Sequence, residues 1–590
     1  MDIYTSGILI SIIVYAIVGN YAGRKVKHLE DYFVVGRQAP TLLIVGTLVA
    51  SVLSTNAFLG ETGFSYETQG GAFVVWPAIW LTGYVYGALF FGRYLRRSRA
   101  LTVAEFFGQR FADRSVQRAA GITIVLGLGG YLLAVTQGTA VILSQLTPLS
   151  YLQGLCVTWV SYTLFTLYSG SRGVVITDTI MFLLFTLMSF VALYYIVDTH
   201  DGWLASMDGL THLEAKPDLM TWHGVVGPGT EWATPVDYAI WSVINGIAWS
   251  LVAAVSPWQS SRYLMARSEH VVIRSACIAA IVVAFSNLAL FAAATVVNLS
   301  KVDISPPEET MIWAAKNMMP PLAGGLLLAG VTAAALSSAT TFLSLVGFSV
   351  SNDIFPHAAR SDRSMLRFSR WIMLLVGAIT LVISLFLSPN IFWLTYYVGT
   401  VFASSWGPVA FMSIWSDSIT ARAAYWGIST GFAGNVIPRL MDTLGWVDLP
   451  SYLDPILIGG VISLLVVIGV SRMGTVTDVE RAHRLALREM PADERDVRQV
   501  RWTQGAAIGV AACGLLLSCL LIAFYVMPFQ EAKGVLLEGE GLDWRSGEAL
   551  LALGWAALYV PCGVGACWVI GRSYRPGRAD PDDRPSKKRR

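Results

Sequence analysis

Residues 330–342 read GVTAAALSSATTF, two adjacent hydroxyl pairs in an apolar run without a charge. At about 100° per residue a helix sets Ala334, Ser337 and Thr341 close together on one face, with Ser338 on one flank and Thr340 on the other. Those flanks lie about 160° apart by the same periodicity, too far for one small ion to be ligated by both. Ser337, between them, can serve two sites. Hydroxyls and unpaired backbone carbonyls are the oxygen donors that a hard monovalent cation such as sodium requires, and they act without burying a fixed charge. The same hydroxyls can instead back-bond to carbonyls one turn earlier or join helices together.

Two further stretches carry chemistry of the same kind. TLVASVLSTNAFLGETG, residues 47–63, places Ser51, Ser54, Thr55 and Asn56 in lipid-grade sequence. This predicts an interior-facing, interrupted helix whose freed carbonyls bind a cation, although no glycine or proline marks the break. Plain packing of polar residues against a neighbouring helix is the alternative. In SGSRGVVITDTIMF, residues 169–182, Asp178 is an acid inside a span, and a carboxylate there is costly enough to be functional by default. It is read as a cation ligand or entry point, or as the partner of Arg172.

The elements that must hold these residues are membrane helices. The chain has 590 residues, 55% hydrophobic and 14% charged, and a mean hydropathy of +0.58 that few soluble domains reach. Apolar runs of about 20 residues recur about fifteen times, and barrel strands would instead alternate polar and apolar residues. The first run, ILISIIVYAIVG, lacks a basic leader and a small-residue cleavage site, so it reads as a retained span. The net charge of +2 says little, but its placement is informative. Arg24, Lys25 and Lys27, then Arg93, Arg96, Arg97 and Arg99, then Arg262, Arg267 and Arg274 follow alternate spans, which puts the N-terminus outside and the SKKRR tail in the cytoplasm.

Several function classes fall away. The six cysteines lie in apolar spans without metal-ligand spacing, the seven histidines lie in loops or at span edges, and neither HExxH nor a phosphate-cradling glycine run occurs. The pattern argues against an enzyme, a transition-metal site and a nucleic-acid partner.

Span counting divides the chain into an N-terminal span and loop (1–38), five spans (39–199), an outer loop (200–235), five spans (236–415), additional spans (416–472), a charged amphipathic segment (473–504), two last spans (505–572) and a basic tail (573–590) expected to be disordered. Two groups of five about a long outer loop suggest an inverted repeat, because an odd number of spans flips the second copy.

EDYFVVGRQAP before the second span, LTVAEFFGQRF after the third, YSGSRGVVITDTIMF at the sixth and AGVTAAALSSATTF at the ninth, in that order, resemble the sodium:solute symporter family. The resemblance covers residues 1 to about 470. It implies an all-α LeuT-like fold, with a 5+5 inverted-repeat core, one extra N-terminal span and about four extra C-terminal ones, working by alternating access. Carried over by position, it implies a principal sodium site on the carbonyls of Ala50, Leu53 and Ala334 with the hydroxyls of Ser337 and Ser338. A second sodium site matches Asp178, Ser337, Thr340 and Thr341. One sodium crossing about 100 mV and a tenfold gradient supplies roughly 3.7 kcal/mol, so a stoichiometry of one or two decides how far a solute is concentrated.

For the solute, Ser51, Val52, Ser54, Asn56, Trp76, Trp249, Thr395 and Tyr396 are the candidate contacts. Val52 and Ala57 stand where sugar-carrying relatives have polar side chains, which weighs against a sugar. The aromatics Trp76, Trp80, Trp241, Trp249, Trp393, Tyr396, Tyr397 and Trp406 can stack on an apolar solute or cage a quaternary ammonium, or they can serve as interface belt and packing. With no basic side chain evident at the cavity, an amino acid, a small carboxylate and a quaternary amine all stay open. The expectation is sodium-coupled import of a small organic solute across a cell membrane. A solute sensor without transport and a proton-driven symporter are the competing readings.

Overall fold

A backbone that crosses hydrocarbon has to satisfy every N–H and C=O within the protein, and this chain does so with helices. The structure, a computed structural model, describes residues 3–23, 28–71, 74–355, 361–387, 389–536 and 541–574. The basic cluster at 24–27 and nearly all of the 573–590 tail lie outside the described residues. Among those described, eleven helices are long and apolar enough to cross a membrane. Helical structure also covers parts of 41–67 and the stretches 151–169, 391–415 and 421–443.

In chain order the elements that matter here are α1 (Ile3–Gly23), α2 (Thr41–Ala50), α3 (Thr62–Glu67), α4 (Val75–Ser98), α5 (Arg114–Leu146) and α6 (Tyr151–Asp198). They are followed by α7 (Pro235–Val255), α8 (Pro257–Met265), α9 (Glu269–Val296), α10 (Pro321–Phe348), α11 (Asp362–Ser384) and α12 (Ile391–Trp415). Five more complete the set: α13 (Ala421–Thr443), α14 (Pro455–Arg472), α15 (Asp478–Arg488), α16 (Val497–Leu521) and α17 (Gly547–Ser573).

Local sequence sets the helix starts. Ser150 with Gln153 and Thr234 with Asp237 form reciprocal capping boxes at the heads of α6 and α7, and Pro235, Pro257 and Pro321 open their helices where a missing N–H costs nothing. The expected spans at 150–169 and 174–198 are two helical stretches that meet at a kink at Gly170. Its φ of 52° lies in the left-handed region, and a Cβ there would overlap the Tyr32 ring.

α10 is the axis of the bundle, almost wholly buried, and packs against α6, α5, α1 and α11. α1 lies outside it and shows most of its surface to its surroundings. α2 crosses α6 at Gly46, where a Cβ would lie 2.6 Å from the Thr179 Cα. That approach brings Thr47 to Asp178.

Two expectations about charges change. Arg262 is not a loop charge: the expected span at 236–257 continues past a break at Ser256 (ψ 145°) into α8, and Arg262 is buried on that half-helix. The 473–504 segment is not a free linker either. Arg97 donates to the Leu487 carbonyl (2.9 Å), Arg110 to that of Glu480 (3.0 Å), and the Glu480 carboxylate caps the Ala421 N–H (2.7 Å).

Candidate functional site

The α2 ladder ends in an irregular turn. Ser51 N–H still reaches the Thr47 carbonyl, Val52 and Leu53 both fall on Val49, Ser54 falls on Val52, and the next bond is Phe58 to Ser54. The carbonyls of Ala50, Ser51 and Leu53 are left outside this ladder. Side chains make the break without glycine or proline: the Ser51 hydroxyl donates to the Leu48 carbonyl (2.9 Å), and Ser54 Oγ accepts the Asn56 N–H (3.4 Å). Beyond it, Asn56–Glu61 forms a π-helical turn, a form common at functional sites.

A second break faces the first. Gln259, on α8 just past Ser256 and Pro257, donates from Nε2 to Ser51 Oγ (3.1 Å) and lies 3.4 Å from the Tyr84 hydroxyl through Oε1.

Asp178 draws three helices together. Thr47 of α2 donates to Oδ2 and Ser337 of α10 donates to Oδ1. The Arg262 guanidinium stands 3.6 Å from Oδ2 and donates to Thr341 Oγ1 at 2.7 Å. Both charged side chains are only 2% exposed. Of the residues expected at a second sodium site, Asp178, Ser337 and Thr341 meet here, around an internal cation. Thr340 faces elsewhere: its hydroxyl donates to the Leu336 carbonyl (2.7 Å) and lies 2.5 Å from the Tyr15 hydroxyl on α1. Arg172, the expected alternative partner of Asp178, lies 4.0 Å from Asp31.

Among the principal-site residues, Ser338 Oγ is buried without a hydrogen-bond partner among the described residues. Ala334 sits one turn before it on α10. Donor chemistry suits sodium here: an unpaired hydroxyl on α10 and carbonyls outside the ladder on the neighbouring broken helix.

The solute candidates separate into groups. Asn56 Oδ1 is 2.8 Å from Thr395 Oγ1 on α12, and its amide donates to Glu61 Oε1 (2.8 Å). Ser51, Ser54 and Val52 are buried at the break. Trp76 and Trp249 meet edge to face at 6.1 Å, with Trp80 alongside. Tyr396 belongs to a different cluster, 6.1 Å from Trp241, and its hydroxyl donates to Asp454 Oδ2 (2.8 Å). Trp406 packs against Phe107 and Phe402 and donates to Thr123 Oγ1 (2.9 Å).

Sequence reading missed Arg262, Gln259, Thr47 and Glu61. The signal for the first two was Pro257, an N1 proline that restarts a helix, so that PWQSSRYLM continues the span. Glu61 stood in plain view in FLGETG.

The profile of the sodium:solute symporter family matches residues 32–431. The chain is 24% identical over 459 residues to the sodium/pantothenate symporter of Escherichia coli (strain K12), spanning 76% of this chain and 91% of that one. It is 22% identical over 460 residues to the sodium/proline symporter of Salmonella typhimurium, spanning 73% and 86%. Among solved structures it resembles a sodium-coupled sialic acid symporter in its substrate-bound outward-open state, with a TM-score of 0.66 at 17% identity over 81% of this chain and 99% of that one. A nucleobase-cation-symport-1 family transporter in a closed conformation matches with a TM-score of 0.51 at 12% identity, over 77% and 98%.

Proposed function

Because the chain belongs to the sodium:solute symporter family, we propose that it imports a small organic solute together with sodium across a cell membrane by alternating access. The observation that carries this reading is the side-chain-made break at Ser51–Thr55, which leaves the Ala50 and Leu53 carbonyls outside the helical ladder next to a helix bearing the unpartnered Ser338 hydroxyl. The principal sodium ligands are the carbonyls of Ala50, Leu53 and Ala334 and the hydroxyls of Ser337 and Ser338. A 5+5 inverted repeat, with the N-terminus outside and the C-terminus in the cytoplasm, is the architecture that goes with it.

A second sodium at Asp178, Ser337, Thr340 and Thr341 has to displace Arg262, because the guanidinium already supplies the positive charge there. One sodium per cycle is therefore expected while Arg262 is seated. The solute contacts proposed are Ser51, Val52, Ser54, Asn56, Trp76, Trp249, Thr395 and Tyr396, lining a site for an amino acid, a small carboxylate or an amine in preference to a sugar.

The test is uptake into proteoliposomes of labelled amino acids, monocarboxylates, sugars and choline under an inward sodium gradient, and again under a proton gradient. Sodium-driven accumulation of one class is expected. Accumulation in sodium-free medium under the proton gradient would overturn the sodium assignment, and binding without accumulation under either gradient would make the protein a sensor.

A further inference from the structure

Glu61 is 2% exposed, on the π-helical turn between the break and α3, and its two carboxylate oxygens differ. Oε1 accepts the Asn56 amide, whereas Oε2 is buried without a partner among the described residues. Among the described residues, four cations toward this end of the bundle are already engaged. Arg439 lies between Asp442 (3.5 Å) and Asp454 (3.3 Å), Lys301 pairs with Asp303 (2.9 Å), Lys316 donates to the Gln145 carbonyl (3.2 Å), and Lys216 donates to the Tyr66 carbonyl (2.9 Å). The turn Pro307–Glu309, which packs against Asn56–Glu61, adds Glu308 and Glu309 and no cation.

Removing an ion from water costs several kcal/mol after relaxation, and one amide hydrogen bond offsets only part of that. The residues tied to Glu61 are the proposed solute contacts: Asn56 directly, and Thr395 through Asn56. One turn on, Phe64 stacks on Phe392 at 4.5 Å and meets Trp232 at 5.7 Å, and Trp232 lies 4.7 Å from Trp241. A carboxylate beside an aromatic layer is the pairing that receives an ammonium group, by charge on one side and ring quadrupole on the other.

We infer that Glu61 is the counter-ion for a positively charged nitrogen of the transported solute, so that the substrate is a protonated or quaternary amine, zwitterions included, and not a solute whose only charge is a carboxylate. This rests on the proposed solute site, and it chooses among the classes left open above. A sodium ion can use the same oxygen, so the test separates the two.

The purified protein in sodium buffer is titrated with choline, proline, γ-aminobutyrate and pantothenate, the last having a carboxylate and no basic nitrogen, with binding read as thermal stabilisation. Radiolabelled sodium binding is measured in parallel. At least one amine is expected to bind while pantothenate does not. Glu61→Gln, which keeps the acceptor for Asn56 and removes the charge, is expected to weaken that amine on the order of 10- to 100-fold, the loss of one charge-assisted hydrogen bond. Sodium binding should stay within about twofold. Glu61→Asp should fall between the two. Stabilisation by pantothenate alone, by no amine in the set, or by an amine equally in wild type and Glu61→Gln overturns the inference, and so does loss of sodium binding in Glu61→Gln. Because binding is read without transport, failure of sodium-driven uptake would count against symport and leave this result standing.

Discussion

Asp178 and Glu61 are both carboxylates 2% exposed inside one helical bundle, and their surroundings are opposite. Asp178 accepts hydroxyls from Thr47 and Ser337 and faces the Arg262 guanidinium at 3.6 Å, so the chain supplies its own counter-charge. Glu61 has one amide on one oxygen and, among the described residues, nothing on the other. A third buried acid, Asp353, lies between these extremes, held by the neutral donors Thr102 (2.7 Å), Gln117 (2.9 Å), Asn352 (3.0 Å) and Ser349 (3.0 Å). An acid with an internal cation acts as a joint between helices, whereas an acid without one is held by neutral donors, as Asp353 is, keeps its proton, or takes a cation from outside. Buried charge alone does not say which role applies; the partner list does.

The sharpest way to break this contrast is to neutralise each acid in turn. Asp178→Asn leaves Arg262 buried against a neutral amide, and the loss of one partner of such a pair costs about 3–5 kcal/mol. Thermal melting of the purified protein should show a large drop, and Arg262→Gln added to Asp178→Asn should recover most of it. Glu61→Gln removes a carboxyl that no cation among the described residues balances, so its stability should equal or exceed that of the wild type. Equal melting of Asp178→Asn and wild type would mean that the Asp178 pair is not a joint.

Much of this was legible in the sequence, and the reasons for the rest are physical. The hydroxyl spacing in GVTAAALSSATTF, the break at Ser51–Thr55 and the lone acid at Asp178 could be read because each violates the composition of a lipid-facing helix. Arg262 could not be read as an interior charge. A basic residue just after an apolar run looks like a loop charge until the chain is known to restart a helix at Pro257 and continue the span against α10. Glu61 was overlooked for a related reason: at the end of a polar-flecked segment it resembles an outer-edge residue. Its depth follows from α12, which seats Thr395 against Asn56. The 473–504 segment shows the same limit, since its charges match solvent exposure until Arg97 and Arg110 are seen to dock it.

A smaller effect separates ligand from joint along α10. Ser338 has no hydrogen bond to lose among the described residues, so Ser338→Ala should change stability by less than about 0.5 kcal/mol while weakening the apparent sodium affinity in uptake assays on the order of tenfold. Ser337 donates to Asp178, so Ser337→Ala should lose sodium stimulation and about 1–3 kcal/mol together. If Ser338→Ala destabilised the protein without moving the sodium dependence, its hydroxyl would be a packing group, and the principal site would have to be built from other oxygens.

The smallest effect tests whether the chain holds a cation in reserve for Glu61. Lys216 touches the outer half of the broken helix, donating to the Tyr66 carbonyl and lying 3.8 Å from the Tyr66 ring centre. Burial pushes its ammonium down to about 8, with Glu67 opposing the shift. An unfolded lysine titrates near 10.4, so between about pH 8 and 10.4 the unfolded chain holds the extra proton and folding stability rises with pH. Lys216→Met lacks that rise, and the wild type should therefore gain on it in melting temperature from pH 8 to 10. Amine binding in Lys216→Met should stay within about twofold of wild type, because Lys216 is spent on Tyr66. A wild type that instead loses ground to Lys216→Met across that window would mean that the ammonium is held more firmly folded than unfolded. If amine affinity also rose well beyond twofold in the variant, Lys216 would be competing for Glu61, and the two carboxylates would differ only in how far away their internal cation is kept.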